Sequence, residues 1–407
     1  MSGKQIVILG AGHAGGCVAA YLRQYGHEGS ITLVGEEPIA PYQRPPLSKA
    51  WLKGEADAET LALRPLAFYA DSGIDFRPNV RAITINRPTK TVTLSAGGPI
   101  AYDILIIATG ARPMTLPVDG ADLPGVLFLR TAADAEHLKA ALGPGRRLAV
   151  IGGGYIGLEA AASARALGSD VVVIEREPRI LARVACDVLS SFFQARHEAR
   201  GVRFILGGGV TAFEGADGAV TGVRLSDGRV VACDAALVGV GAVPNDDLAA
   251  AAGLECARGV VVDLQARTAD PSIFAIGDVA HRPMPIYQRM LRMESVPNAL
   301  EQAKQAASAI VGRPPPAGET PWQWSDQYDI KLQIAGYPFD VDDVLVRGDP
   351  AAGSFAVFHM KGDQIQAVEA INAPPEFMMG RQLIGNRKAV DRARLIDPSV
   401  SMKEVFA

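Results

Sequence analysis

Ile6-Val-Ile-Leu-Gly-Ala-Gly-His-Ala-Gly15 and Leu148-Ala-Val-Ile-Gly-Gly-Gly-Tyr-Ile-Gly157 decide the reading of this chain. Each joins a four-residue apolar run to a G-x-G-x-x-G turn, with Gly10, Gly12 and Gly15 in the first copy and Gly152, Gly154 and Gly157 in the second. One such turn alone is weak evidence. Here each is followed by an alanine-rich helical stretch and then a second apolar run ending in an acid, Glu36 and Glu175. Strand, glycine turn, helix, strand and acid together are what a dinucleotide requires: the turn brings backbone N–H groups to a pyrophosphate, and the acid accepts from ribose hydroxyls. Two sites in one chain point most simply to a flavin and a nicotinamide exchanging electrons.

Composition narrows the field. At 407 residues the chain exceeds one compact core and should divide into two or three domains. A net charge of -4 leaves no basic excess to neutralise nucleic-acid phosphates. No apolar run approaches the roughly 20 residues that span a bilayer. The first apolar run passes straight into a glycine turn rather than a cleavage site, so a cytoplasmic protein is expected. Cys17, Cys186, Cys233 and Cys256 are scattered, with no C-x-x-C pair, and read as isolated thiols; the six histidines show no metal spacing, so no metal is expected.

Outward from the fingerprints, the pattern is α/β. The first unit adds the proline-bearing segment Arg44-Pro-Pro-Leu-Ser-Lys49, the alternating runs Ala82 to Ile85 and Thr91 to Leu94, and a buried strand ending at Ala108-Thr109-Gly110. Arg112 to Pro117 reads as a linker, since proline interrupts regular structure. The second unit runs from Leu148 to the turn at Val238-Gly-Val-Gly241. Ile273-Phe-Ala-Ile-Gly-Asp278 then returns to the first, and a helix from about Asn298 to Val311 precedes a proline break. The expected arrangement is two Rossmann-like dinucleotide-binding domains and a C-terminal α+β domain. Residues 1–112 and 246–321 form the flavin domain, 113–245 the nicotinamide domain, and 322–407 the third.

Several residues stand where chemistry is expected, each with a plainer alternative. Glu36 is preferred to its neighbour Glu37 as the ribose acceptor. Glu175 favours a free 2′-hydroxyl, hence NADH, although Arg176, Arg179 and Arg183 lie close in sequence to receive a 2′-phosphate. Asp278 ends a buried strand, where open α/β sheets bind ligands, or caps the next turn. Arg44 and Lys49 are either surface charges or cations that favour a reduced, anionic flavin. Glu159 either serves the helix dipole or faces a nicotinamide pocket. Trp322 and Trp324 alternate on a strand and so share a face, packing in a core or closing over a ring. Arg289, Arg292, Lys304 and Arg313 give a locally basic stretch able to steer an acidic protein.

With both fingerprints, Arg44-Pro-Pro-Leu-Ser-Lys49, Ala108-Thr-Gly110, Ile276-Gly-Asp278, Glu294-Ser-Val-Pro-Asn298 and Trp324-Ser-Asp-Gln-Tyr328 in hand, the whole chain resembles the FAD-dependent ferredoxin reductases. The resemblance implies a glutathione-reductase-like architecture. It also implies FAD contacts at Ala14, Glu36, Arg44, Lys49, Val80, Arg130, Asp278 and Val296, and an NADH site at Gly152, Gly154, Ile156, Glu175 and Arg183. It pairs Lys49 with Glu159 beside the flavin and puts Trp324 near its ring. The implied reaction passes hydride from NADH to FAD and then single electrons to a [2Fe-2S] ferredoxin. A cytochrome P450 is the first choice of terminal acceptor. The alternatives are a ring-dioxygenase reductase, a rubredoxin reductase, and a redox-sensing flavoprotein like apoptosis-inducing factor. The disulfide reductases of the same superfamily carry a cysteine pair where this chain has Arg44 to Lys49, so electrons must leave for an external acceptor. Nothing in the chain demands more than a monomer.

Overall fold

The computed structural model describes residues 3–406, which divide into two compact units. The first comprises residues up to Arg44, Asp57–Arg112 and Val243–Pro321; the second comprises Pro45–Ala56, Pro113–Ala242 and Trp322 onward. Among the described residues no helix is long and apolar enough to cross a membrane.

The first unit is built on a five-stranded parallel sheet ordered Ile273–Ala275, Ile104–Ile107, Ile6–Leu9, Ile31–Val34 and Ile74–Arg77. A parallel sheet covered on both faces buries every side chain, which is why Ile6–Leu9 and Ile104–Ile107 are continuous apolar runs. Each such residue contributes about 1.5–3 kcal/mol on burial. Helix His13–Gln24 packs with helix Val296–Val311 over one face through small residues, Ala14, Ala19, Ala299, Ala303 and Ala306. The alternating runs form the antiparallel strands Ala82–Asn86 and Thr91–Leu94. The second long helix starts at Val296, two residues before the expected Asn298, because Ser295 caps it and Pro297 is tolerated in its first turn.

The second unit repeats the plan. Its parallel sheet is ordered Val202–Leu206, Asp170–Glu175, Arg147–Ile151, Ala235–Val238 and Val126–Leu127. The C-terminal residues add an antiparallel sheet ordered Trp322–Gln327, Ile330–Gly336, Gln364–Ile371, Ser354–Lys361 and Asp343–Asp349. Helix Pro374–Asn386 covers it, with Gly380 so close to Val368 that a Cβ would stand 2.8 Å from that side chain. Helix Asp187–Glu198 joins the two sheets: Phe192 meets Phe355 edge-on at 5.2 Å, and Arg196 donates to the Ala351 carbonyl at 3.2 Å.

Two local readings need correction. The expected linker from Arg112 begins as a short strand, Ala111–Pro113, and the Arg112 guanidinium is tied to the Pro244 carbonyl, Asn245 and Asp247. The segment Pro45–Ala56 joins the second unit, through contacts of the 3-10 turn Pro45–Ser48 with helices Ala132–Ala140 and Tyr155–Ala166.

Candidate active site

In the first unit the glycines have separable tasks. Gly10 has φ 108°, and a Cβ there would lie 2.2 Å from the Ala108 carbonyl oxygen; at Gly15 it would lie 1.9 Å from the Gly10 oxygen. These two are demanded by the fold. Gly12 differs: a Cβ there would meet only the Arg44 guanidinium, at 3.9 Å, so its smallness leaves open room at a helix start. Gly12 caps helix His13–Gln24 with no side-chain hydrogen bond, leaving backbone N–H groups and the positive dipole end for an anion. The contrast is helix Ala132–Ala140, whose first turn is closed by the reciprocal Thr131–Asp134 capping box.

Arg44 reaches over this cradle, held by Glu37 at 2.7 Å, while Tyr42 donates to the same carboxylate at 2.7 Å. Glu37 is thereby committed. Glu36 points outward, two-thirds exposed, with Arg81 at 3.3 Å, and retains acceptor capacity for a ribose. Asp278 lies near enough for Arg44 to feel its charge, and its carbonyl accepts from Arg292. Ala14 sits beside Gly277, where a Cβ would approach its methyl to 2.9 Å. Val80 is held to the Gly35 carbonyl, and Val296 opens the Ser295-capped helix. Thr109 has a structural duty: its hydroxyl donates to the Asn245 carbonyl, and the Asn245 amide donates back to its own carbonyl.

The second cradle has the same geometry. Gly152 has φ 103° and lies against the Gly239 carbonyl, and a Cβ at Gly157 would fall 2.4 Å from the Gly152 oxygen. A Cβ at Gly154 would meet nothing within 4 Å, and helix Tyr155–Ala166 starts there without a side-chain cap. Glu175 accepts the Gly153 N–H at 2.7 Å on one oxygen and the Glu177 N–H at 2.8 Å on the other. Each oxygen, with one N–H accepted, keeps capacity for a further donor. Ile156 is half exposed, Arg183 is exposed and donates to the Val240 carbonyl, and Gly241, with φ 131°, accepts from the Met114 N–H. Arg179 is spent on Asp187, Ser190 and the Ala185 carbonyl, while Arg176 pairs with Glu177 at the surface. Arg130 is half-buried just ahead of the Thr131 cap, its N–H on Asp134.

Glu159, one turn into that helix, is 6% exposed. Burying a carboxylate this deeply requires donors, and it has three: Lys49 at 2.5 Å, Ser48 at 2.6 Å and Ser325 at 2.6 Å. Lys49 also donates to the Pro45 carbonyl at 3.1 Å. The network continues from Ser325 to Gln327 at 3.1 Å, to His197 at 2.8 Å and to Tyr328 at 3.1 Å. Burial pulls the His197 pKa down to about 4, so this imidazole is neutral at physiological pH. Trp324 and Trp322 share a face, rings 5.5 Å apart, with Phe377 beyond; both indoles stay half-buried instead of entering the core.

Sequence reasoning gave no role to Ser48, Ser325, Gln327 or His197: the first three lie inside quoted motifs, His197 lies in none, and nothing local shows that they meet. All four cysteines are free thiols, and one of them has polar company that the sequence does not announce. Cys186 meets His359 and Glu369, its pKa pushed up to about 12 by burial and the Glu369 charge. Of the basic stretch, Arg289 and Arg313 are exposed, Lys304 is half-buried, and Arg292 is paired with Glu294.

The sequence matches the pyridine nucleotide-disulphide oxidoreductase family over residues 4–303 and the reductase C-terminal family over residues 322–406. It is 53% identical over 400 residues to a probable ferredoxin reductase, CtmF, of Castellaniella defragrans, covering 98% of each chain. The fold superposes on the reductase of a covalent putidaredoxin reductase–putidaredoxin complex with a TM-score of 0.97, at 41% identity, covering 100% of this chain and 98% of that one. The ferredoxin reductase of the CYP199A2 system from Rhodopseudomonas palustris gives a TM-score of 0.95 at 42% identity, covering 99% of this chain and 100% of that one.

Proposed function

Because the chain belongs to the pyridine nucleotide-disulphide oxidoreductases, and within them to the ferredoxin reductases, we propose that it is an NADH-dependent reductase feeding a [2Fe-2S] ferredoxin that serves a cytochrome P450. The family works with FAD and NAD(H), and both cradles suit a pyrophosphate: each presents an uncapped helix start behind a glycine whose missing Cβ leaves room. Bound FAD supplies the chemistry, accepting a hydride from NADH and releasing its electrons singly.

The residues supply position and charge. Gly12 and Arg44 hold the FAD pyrophosphate, Glu36 its ribose, and Asp278, Val80, Ala14, Arg130 and Val296 its flanks. Gly154 and Ile156 receive NADH, and Glu175 accepts from its adenosine ribose and repels a 2′-phosphate. Lys49, fixed by Glu159, offsets negative charge that develops on reduction, and Trp324 shields the reaction from water. The exposed Arg289 and Arg313 lead the surface that steers an acidic ferredoxin.

One observation carries the reading. Where disulfide reductases carry a redox cysteine pair after the first βαβ unit, this chain has Arg44-Pro-Pro-Leu-Ser-Lys49 with no cysteine, Lys49 is ion-paired to a buried glutamate, and all four cysteines are free thiols. Electrons therefore leave for an outside acceptor. Stopped-flow reduction by NADH, then reoxidation by a panel of [2Fe-2S] proteins and a rubredoxin, tests it. Fast reoxidation by a P450-type ferredoxin is expected, and preference for rubredoxin would overturn the partner assignment.

A further inference from the structure

We propose that Cys186, His359 and Glu369 form a binding site for one zinc-class divalent cation in the second unit. They come from three elements: the residue capping helix Asp187–Glu198, strand Ser354–Lys361 and strand Gln364–Ile371. One ligand atom from each lies within 4.8 Å of the other two, and His359 Nε2 stands 3.0 Å from Glu369 Oε2. In a tetrahedral zinc site, bonds of about 2.0 Å to nitrogen or oxygen and about 2.3 Å to sulfur put ligand atoms roughly 3.3–3.6 Å apart. His359 and Glu369 stand slightly closer than that and the sulfur lies within 4.8 Å of both, so closing on a cation takes side-chain shifts of at most about 1.5 Å.

The frame that holds them is already rigid. His359 pairs with Ala367 and Glu369 with Val357 across the same ladder, so the two side chains are diagonal neighbours on one face. The helix presenting Cys186 is clamped to that sheet by the Phe192–Phe355 contact and by Arg196 on the Ala351 carbonyl. His359 and Glu369 are 5% and 3% exposed, whereas Cys186 is half-buried, so a cation enters from the cysteine side and keeps a water as its fourth ligand. A thiolate, an imidazole and a carboxylate select zinc or cadmium over magnesium or calcium, which take oxygen ligands. Charge balances as well: thiolate and carboxylate together neutralise a divalent ion. On binding, the thiol proton leaves to solvent and the imidazole carries its own on Nδ1, freeing Nε2 for the metal. The bound cation ties the nucleotide-binding half of the unit to the C-terminal sheet.

The test uses the FAD-loaded protein, stripped with EDTA, desalted, and titrated with Zn²⁺ against a chromophoric chelator and with Cd²⁺ alone. One equivalent per chain is expected, with a thiolate-to-cadmium charge-transfer band in the ultraviolet and a rise in thermal midpoint with Zn²⁺. Cys186→Ala, at a half-buried cap, should keep its flavin and circular dichroism while losing the band and weakening uptake more than about 100-fold. His359→Ala should weaken uptake similarly, and Cys256→Ala should change nothing. Uptake no tighter than a dissociation constant of about 1 mM, or equal uptake in the wild type and Cys186→Ala, would overturn the assignment.

Discussion

Removing the Lys49–Glu159 pair one partner at a time tests the centre of the proposed site most directly. The two side chains are 19% and 7% exposed and 2.5 Å apart. Glu159→Gln leaves a mostly buried ammonium with the Pro45 carbonyl and the Ser48 hydroxyl as neutral acceptors. Losing one partner of a fully buried pair costs about 3–5 kcal/mol; the residual exposure of Lys49 brings the expectation to about 2–3 kcal/mol. Lys49→Met leaves the carboxylate with both serine donors, so about 1.5–2 kcal/mol is expected for that variant. In the double variant neither charge is stranded, and the combined cost should fall short of the sum by about 1.5–2 kcal/mol. Urea unfolding at neutral pH, followed by circular dichroism alongside flavin content, measures all four corners of the cycle. Costs that add to within about 0.4 kcal/mol would refute the pairing and with it the electrostatic role given to Lys49.

Gly154→Ala should fold with an unchanged midpoint yet raise the dissociation constant for NADH at least about tenfold, whereas Gly157→Ala, its Cβ 2.4 Å from the Gly152 oxygen, should lower the thermal midpoint. Calorimetry and ligand titration on both variants separate room for a ligand from room for the fold. Glu175→Ala should narrow the ratio of kcat/KM for NADH over NADPH by about tenfold, and an unchanged ratio would mean another residue reads the ribose. His197 contributes a pH dependence of defined sign. Its pKa is about 4 folded against 6.5 unfolded, so below pH 6.5 the unfolded chain takes up a proton that the folded chain refuses. Stability should be full above that pH, decline as pH falls toward 4 and then level off. His197→Gln should flatten this decline in a series of melts, and a wild-type slope in the variant would reject the neutral buried imidazole.

What was legible in the residues themselves is what contiguous backbone dictates. A positive φ at Gly10 or Gly152, a helix start without a side-chain cap, and an acid at a strand end all lie within thirty-odd residues of one another, so their spacing alone spells out two nucleotide cradles. Sequence position alone preferred Glu36 to Glu37; that Arg44 and Tyr42 engage Glu37 is visible only in the packing. The donors that make Glu159 tolerable in the interior come from Ser48, Lys49 and Ser325, which lie 111, 110 and 166 residues away. Cys186, His359 and Glu369 likewise meet only where a helix docks on a distant sheet. No local pattern encodes such meetings, since the cost of burying charge is settled by whichever surfaces the tertiary fold presses together.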